Sequence, residues 1–213
     1  MSGILLSVLG AGNLPAPAAL VGVLALSGGS TAAPASAGAV SGDLAVAATS
    51  GGVSSGSGHG WTAASGASSP LYFKELEAAD TSAPITMSAG GARGGVAIYR
   101  GAKSVVRVAS GSYGHPDSGV SFPGYIRSAA HAGMFARARF SIGGGGSVSV
   151  HGVADFVNRL AFTDASRDNS LLDWLAADRP DYIDSTPFDA SLGGSDLPPF
   201  DAVAEIFELR TTA

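Results

Sequence analysis

Between residues 133 and 142 the chain reads GMFARARFSI, and this stretch constrains the fold more than any other. Met134, Ala136, Ala138, Phe140 and Ile142 fall on one side of an extended strand, while Phe135, Arg137, Arg139 and Ser141 fall on the other. A 3.6-residue helical period would scatter both sets around the axis. The alternation therefore predicts a strand, with the first set in a core and Arg137 and Arg139 toward solvent or a partner. The run Gly143–Gly146 then reads as a hairpin loop, leading into a strand at Ser147–His151.

Other strand-sized runs recur along the chain. They are Leu20–Leu26, Leu44–Thr49, Leu71–Glu75, Ile85–Ser88, Val96–Arg100, Ser104–Ala109 and the C-terminal AVAEIFELR. Clusters such as TSGGVSSGSGHG, SAGGARGG and SYGHPDSG separate them. About ten short strands with this punctuation predict an all-β, antiparallel β-sandwich of jelly-roll-like type, with at most one short helix. SLLDWLAAD reads in two ways. Ser170 and Asp173 resemble a capping box with Pro180 as the stop, which favours a helix; a further strand over Leu171–Arg179 fits equally well.

The first thirty residues are apolar and uncharged. Gly10, Gly12, Asn13, Pro15 and Pro17 divide them into Ile4–Leu9 and Ala18–Leu26, each too short for the roughly 18 residues of a membrane helix. A signal peptide would want a positive n-region, and no Lys or Arg precedes Lys74, although TAAPASAGA could pass for a cleavage site. The preferred division is an N-terminal arm over residues 1–17 and a sandwich over 18–213. Ile4, Leu5, Leu6, Val8 and Leu9 of the arm are the candidate partner-docking residues, because five aliphatic side chains in one short segment form a patch that soluble monomers rarely expose.

Composition narrows the function classes. Hydrophobic residues make up 46% of the 213, enough for a substantial core, whereas charged residues are 14% against the usual quarter or so. Such a surface would be built from Ser, Thr, Gly and Ala, as suits a subunit of an assembly or a protein exposed outside a cell. The net charge of −5 offers no basic patch for phosphates, which argues against nucleic-acid binding. With no cysteine, disulfides, thiolate metal sites and a cysteine nucleophile are excluded.

No catalytic constellation is readable. GVSSG at residues 52–56 matches the nucleophile-elbow pattern, but SGHGWTAAS behind it cannot start the helix that an elbow requires. His59, His115, His131 and His151 stand apart, without metal-ligand spacing. The C-terminal acids Asp164, Asp168, Asp173, Asp178, Asp181, Asp184, Asp189, Asp196 and Asp201 lack the alternating ligands and glycine of a calcium loop and read as turn formers. The glycine-rich GAGNLPAP and GGARGG lack the remaining residues of a phosphate or dinucleotide site. Trp61, Tyr72, Phe73, Tyr99, Tyr113, Phe122, Tyr125 and Trp174 are of a kind that stacks on sugars, but core or rim positions explain most of them. The expectation is therefore no enzyme, no cofactor and no metal.

One ordered set of motifs remains. SGDLAVAATS, GWTAASG, LYFKELEAADTSAPITMSAGG and GVAIYRGAKSV follow one another between residues 41 and 105. In order, this set resembles the β-sandwich structural proteins found in tailed-phage gene clusters, on Gly42, Asp43, Gly60, Trp61, Thr62, Tyr72, Lys74, Tyr99, Arg100 and Gly101. The opening MSGILLSVLG is also similar to the start of many phage minor tail proteins. The ordered resemblance covers roughly residues 18 to 110, with only AADR and IFELR as later echoes; the GHPDSGVSFPGYIRSAAHAG insert and the Asp-rich region depart from it. The resemblance implies a virion structural protein of tail, baseplate or head surface, assembled in the host cytoplasm and active in assembly, decoration or host attachment. It implies other virion subunits as partners, a homo-oligomer and a host-surface glycan as a further ligand, and it transfers no catalytic residue. The alternatives are a secreted bacterial carbohydrate-binding sandwich and a glycan hydrolase on a similar scaffold.

Overall fold

Strands dominate the computed structural model, and every described strand pair is antiparallel. The structure describes residues 18–26, 31–49, 53–55, 60–64, 66–67, 71–87, 94–114, 120–122, 125–126, 128, 131–142, 148–151, 156–163, 168–175, 182–183, 186–192 and 200–212, some as backbone only. The first half holds β1 (Ala19–Leu26), β2 (Leu44–Thr49), β3 (Val53–Ser55), β4 (Thr62–Ala63), β5 (Leu71–Glu75), α1 (Ala78–Ser82), β6 (Ile85–Met87), β7 (Gly94–Arg100) and β8 (Ser104–Gly114). The second holds β9 (Val120–Phe122), β10 (Tyr125–Ile126), β11 (His131–Ile142), β12 (Val148–His151), β13 (Phe156–Thr163), β14 (Asp168–Leu175), β15 (Tyr182–Ile183), β16 (Thr186–Leu192) and β17 (Phe200–Arg210).

Two five-stranded sheets form the sandwich. The first runs β1-β7-β2-β5-β4 and the second β13-β14-β11-β17-β8. Their facing sides share one core, in which Leu44, Val46, Leu71 and Tyr99 of the first sheet meet Val105, Phe135, Phe207 and Leu209 of the second. At its centre Tyr99, Phe135 and Phe207 stack across the two sheets, with ring centroids 6.1 and 5.0 Å apart. β1 and β7 lie near β13, and β5 near β8, so the first sheet lies over the second from one side to the other.

Both sheets have buried residues on their second face as well. Ala45, Ala47, Val96 and Ile98 point away from the shared core and are covered by Ala39, Leu76 and Ile85. A single turn of 3-10 helix at Pro34–Ala37 leads into that cover. It packs so closely on β1 that a Cβ at Gly22 would stand 2.6 Å from the Ala37 carbonyl oxygen. All six residues of β2, LAVAAT, are consequently buried. On the second sheet Met134, Ala204 and Ile206 are buried on the side opposite Phe135, and β9 packs against β17.

This two-sided burial corrects several sequence expectations. Met134 is buried as expected, but Phe135 belongs to the shared core and Arg137, two residues along the same face, is only 1% exposed. Arg137 lies opposite buried Glu205 on β17 instead of facing solvent. A charge on an alternating strand marks a wet face only while no neighbouring strand sets a countercharge beside it. The side chains of Ala136, Ala138, Arg139, Phe140 and Ile142 lie outside the described set. Leu171–Leu175 is strand, inside β14, which hydrogen-bonds to neighbours on both sides and so takes the extended alternative to the helix; residues 176–180 lie outside the described residues. The short helix is α1 instead. Small residues are also core material here: Ala45, Ala47, Ala48, Ala97 and Ala204 are fully buried.

Candidate functional site

The motif residues of the first half converge on the edge and one end of the first sheet. Asp43 enters β2 and Arg100 ends β7, and the Leu44–Tyr99 pairing of those strands sets the two side by side. Arg100 donates from Nε and Nη2 to the two Asp43 carboxylate oxygens, both at 2.9 Å, and the Val40 N–H donates to the same group at 2.9 Å. Burial alone would raise the Asp43 pKa. The hydrogen bonds from Arg100 and Val40 and the guanidinium charge outweigh it and hold the carboxyl below its ordinary value of 3.8. The Arg100 pKa is raised correspondingly, chiefly by its hydrogen bond to Asp43. Gly42 and Gly101 sit beside this pair at φ +90° and +87°, a conformation that favours glycine in both turns.

Backbone bonds extend the clamp to β5. The Gly42 N–H donates to the Leu76 carbonyl at 2.7 Å and the Leu76 N–H donates to the Asp43 carbonyl at 2.8 Å. Beyond Leu76, Glu77 and Asp80 form a reciprocal capping box that starts α1. Asp80 also accepts a hydrogen bond from Lys74 Nζ at 2.7 Å, in an ion pair with both side chains buried. Gly60, at φ +96°, leaves room for the Lys74 stem: a Cβ there would lie 3.3 Å from its Cε. Thr62 pairs with Phe73, and Trp61 and Tyr72 pack half-buried against the outer core. Tyr99 belongs to the central aromatic stack.

The second sheet carries its own buried charges. Arg107 donates from Nη1 to Glu205 at 3.2 Å. Glu208, fully buried, accepts from the Ser128 N–H and Oγ–H at 2.8 Å each and from Arg210 Nε at 2.7 Å, and His131 Nδ1 stands 3.5 Å away. Serine, histidine and an acid thus meet, but not in the hydrolytic order. A triad places the acid on one imidazole nitrogen and the serine hydroxyl on the other. Here the hydroxyl proton goes to the carboxylate itself, so the chemistry is that of a pin holding the segment before β11 to β17. Nothing in the spacing of Ser128, His131 and Glu208 announces this cluster, since β-pairing alone brings the two segments together.

The remaining sequence candidates are placed as follows. Ser54 of GVSSG sits within β3, opposite Thr86, and not on a strand-to-helix elbow. His59 and His115 lie outside the described residues, as do Asp164, Asp178, Asp181, Asp184 and Asp196; for His151, Asp168, Asp173, Asp189 and Asp201 only strand backbone is described. Ile4, Leu5, Leu6, Val8 and Leu9 also lie outside the described residues. Among the described residues no group of three or more His, Asp or Glu is placed to hold a metal, and no helix is long and apolar enough to cross a membrane. No family model, curated protein or solved structure matches this chain.

Proposed function

We propose that this chain is a non-enzymatic structural component of a bacteriophage virion, in the tail, baseplate or head surface, and that its N-terminal arm docks on another virion subunit. One observation carries the reading. The charged and conformationally special residues of the phage-like motif set, Asp43, Arg100, Lys74, Gly42, Gly60 and Gly101, hold strands and turns in place. A motif of this kind specifies a scaffold and leaves the work to its surfaces. The sparse charge and the apolar run Ile4–Leu9 support the same reading. Burial of those five aliphatic side chains against a partner would contribute on the order of 5–10 kcal/mol before ordering costs.

Deleting residues 2 to 15 tests the proposal. The truncated chain is expected to stay folded, with a near-normal melting temperature, and to be missing from particles assembled in its presence. Unfolding, or incorporation at the wild-type level, would show that the segment does other work. The second reading, a secreted carbohydrate-binding sandwich, draws on half-exposed Trp61 and Tyr72 on the outer face of the first sheet. Oligosaccharide binding that disappears in Trp61→Ala would favour it.

A further inference from the structure

Among the described residues, the edges of the two large sheets are β1 and β4 in one and β13 and β8 in the other. An open edge is a template for strand addition, and bulges or shortness are the usual defences. Each of the three long edges has an extra residue against its inner neighbour. In β1 it is Val21, since Leu20 and Gly22 face consecutive residues Tyr99 and Ile98 of β7. In β8 it is Val108, between the partners of Ile206 and Phe207. In β13 it is Arg159, between the partners of Asp173 and Leu172. The fourth edge, β4, is only two residues long. The smaller sheet β12-β16-β9 also ends in short strands, of four and three residues.

A bulge leaves its extra residue out of the ladder and turns the strand, so the outward N–H and C=O groups lose their even spacing. An incoming strand must then break its own pairing at the same place. The longest uninterrupted piece is Ala109–Gly114, ASGSYG, whose glycines and serines make a poor strand partner. Among the described inner pairs, β7–β2, β2–β5 and β14–β11 run without a register shift, and β11–β17 has one, at Ala132 near the start of β11.

We infer that this sandwich is closed to strand addition along all four edges of its large sheets, so that copies of the chain do not join edge to edge.

Two measurements test this on the full-length chain. Sedimentation velocity over a roughly hundredfold concentration range is expected to show no edge-paired association. A synthetic peptide of residues 1–17 is expected to leave amide exchange in β1, β8 and β13 unchanged. Self-association or peptide binding that protects those amides would overturn the inference. Deleting Val108 or Val21 restores a regular edge, and any such variant that keeps its fold is expected to self-associate at least about tenfold more tightly. A folded variant that stays as dissociated as wild type would show that the bulges are not the barrier. Failure of the arm deletion to block particle entry would remove the virion reading and leave the edge result standing.

Discussion

Replacing Phe135 by alanine tests the central packing most directly. The ring is fully buried between Tyr99 and Phe207, with near-parallel planes on both sides, and it joins the two sheets. Truncating a buried phenylalanine costs about 3–5 kcal/mol, part transfer and part cavity. Loss of two stacked contacts places this site toward the upper end, at about 4–5 kcal/mol. With a urea dependence of about 2 kcal/mol/M, the unfolding midpoint should fall by about 2 M. Phe135→Leu, which keeps most of the volume but loses both stacked contacts, should cost about 1–3 kcal/mol. The assay is equilibrium urea unfolding followed by tyrosine and tryptophan fluorescence, with an unchanged slope confirming that the same transition is measured. A loss below about 1 kcal/mol for the alanine variant would put the ring at the surface and refute the facing assigned to β11.

Three further outcomes follow from the buried polar groups and the tight contacts. The Asp43 carboxyl has a folded-state pKa below its ordinary 3.8, so its stabilisation is complete above that value and is lost as pH falls through the lower, native one. Urea midpoints measured on descending pH should therefore fall more steeply in wild type than in Asp43→Asn below about pH 4. Lys74→Met leaves the Asp80 carboxylate buried without its ion-pair partner and should cost about 3–5 kcal/mol, part of it recovered by adding Asp80→Asn. Gly22→Ala sets a Cβ against the Ala37 carbonyl and should lower stability by about 1–3 kcal/mol in the same unfolding assay.

The strands most legible in the sequence were those closed off by turn residues. β2 and β5 fall where the apolar runs and their flanking Gly, Asp and Pro place them, and β7 and β8 fall on the expected runs Val96–Arg100 and Ser104–Ala109, each extending beyond its run. Facing was less legible. The alternation in β11 supplies two apolar-bearing sets, and only Glu205, on a strand distant in sequence, reveals that Arg137 belongs inside. α1 escaped because five residues carry no period, although Glu77 and Asp80 of its capping box are visible in ELEAAD. The Glu208 cluster joins Ser128 and His131 to β17 through tertiary pairing that no local spacing encodes. The candidate docking residues Ile4, Leu5, Leu6, Val8 and Leu9 lie outside the described residues, so their assignment still comes from sequence alone.

The alanines of β2 set the direction in which this protein can change. With Ala45 and Ala47 pressed under one cover, and Ala48 beside Leu44 and Val46 against the shared core, the strand meets its outer cover with methyl groups alone. Side chains this small have almost nothing left to lose, so truncation is scarcely available as a mutation there. Enlargement is available at every one of them, and each added carbon must displace a neighbour across a layer. A saturation scan of Ala45, Ala47 and Ala48 should therefore be lopsided: Ala→Gly moderately harmful through backbone freedom, Ala→Val harmful through crowding, and Ala→Leu severe. Adaptive substitutions in such a chain are pushed out of the layers and into the loops that leave the two ends of the sandwich.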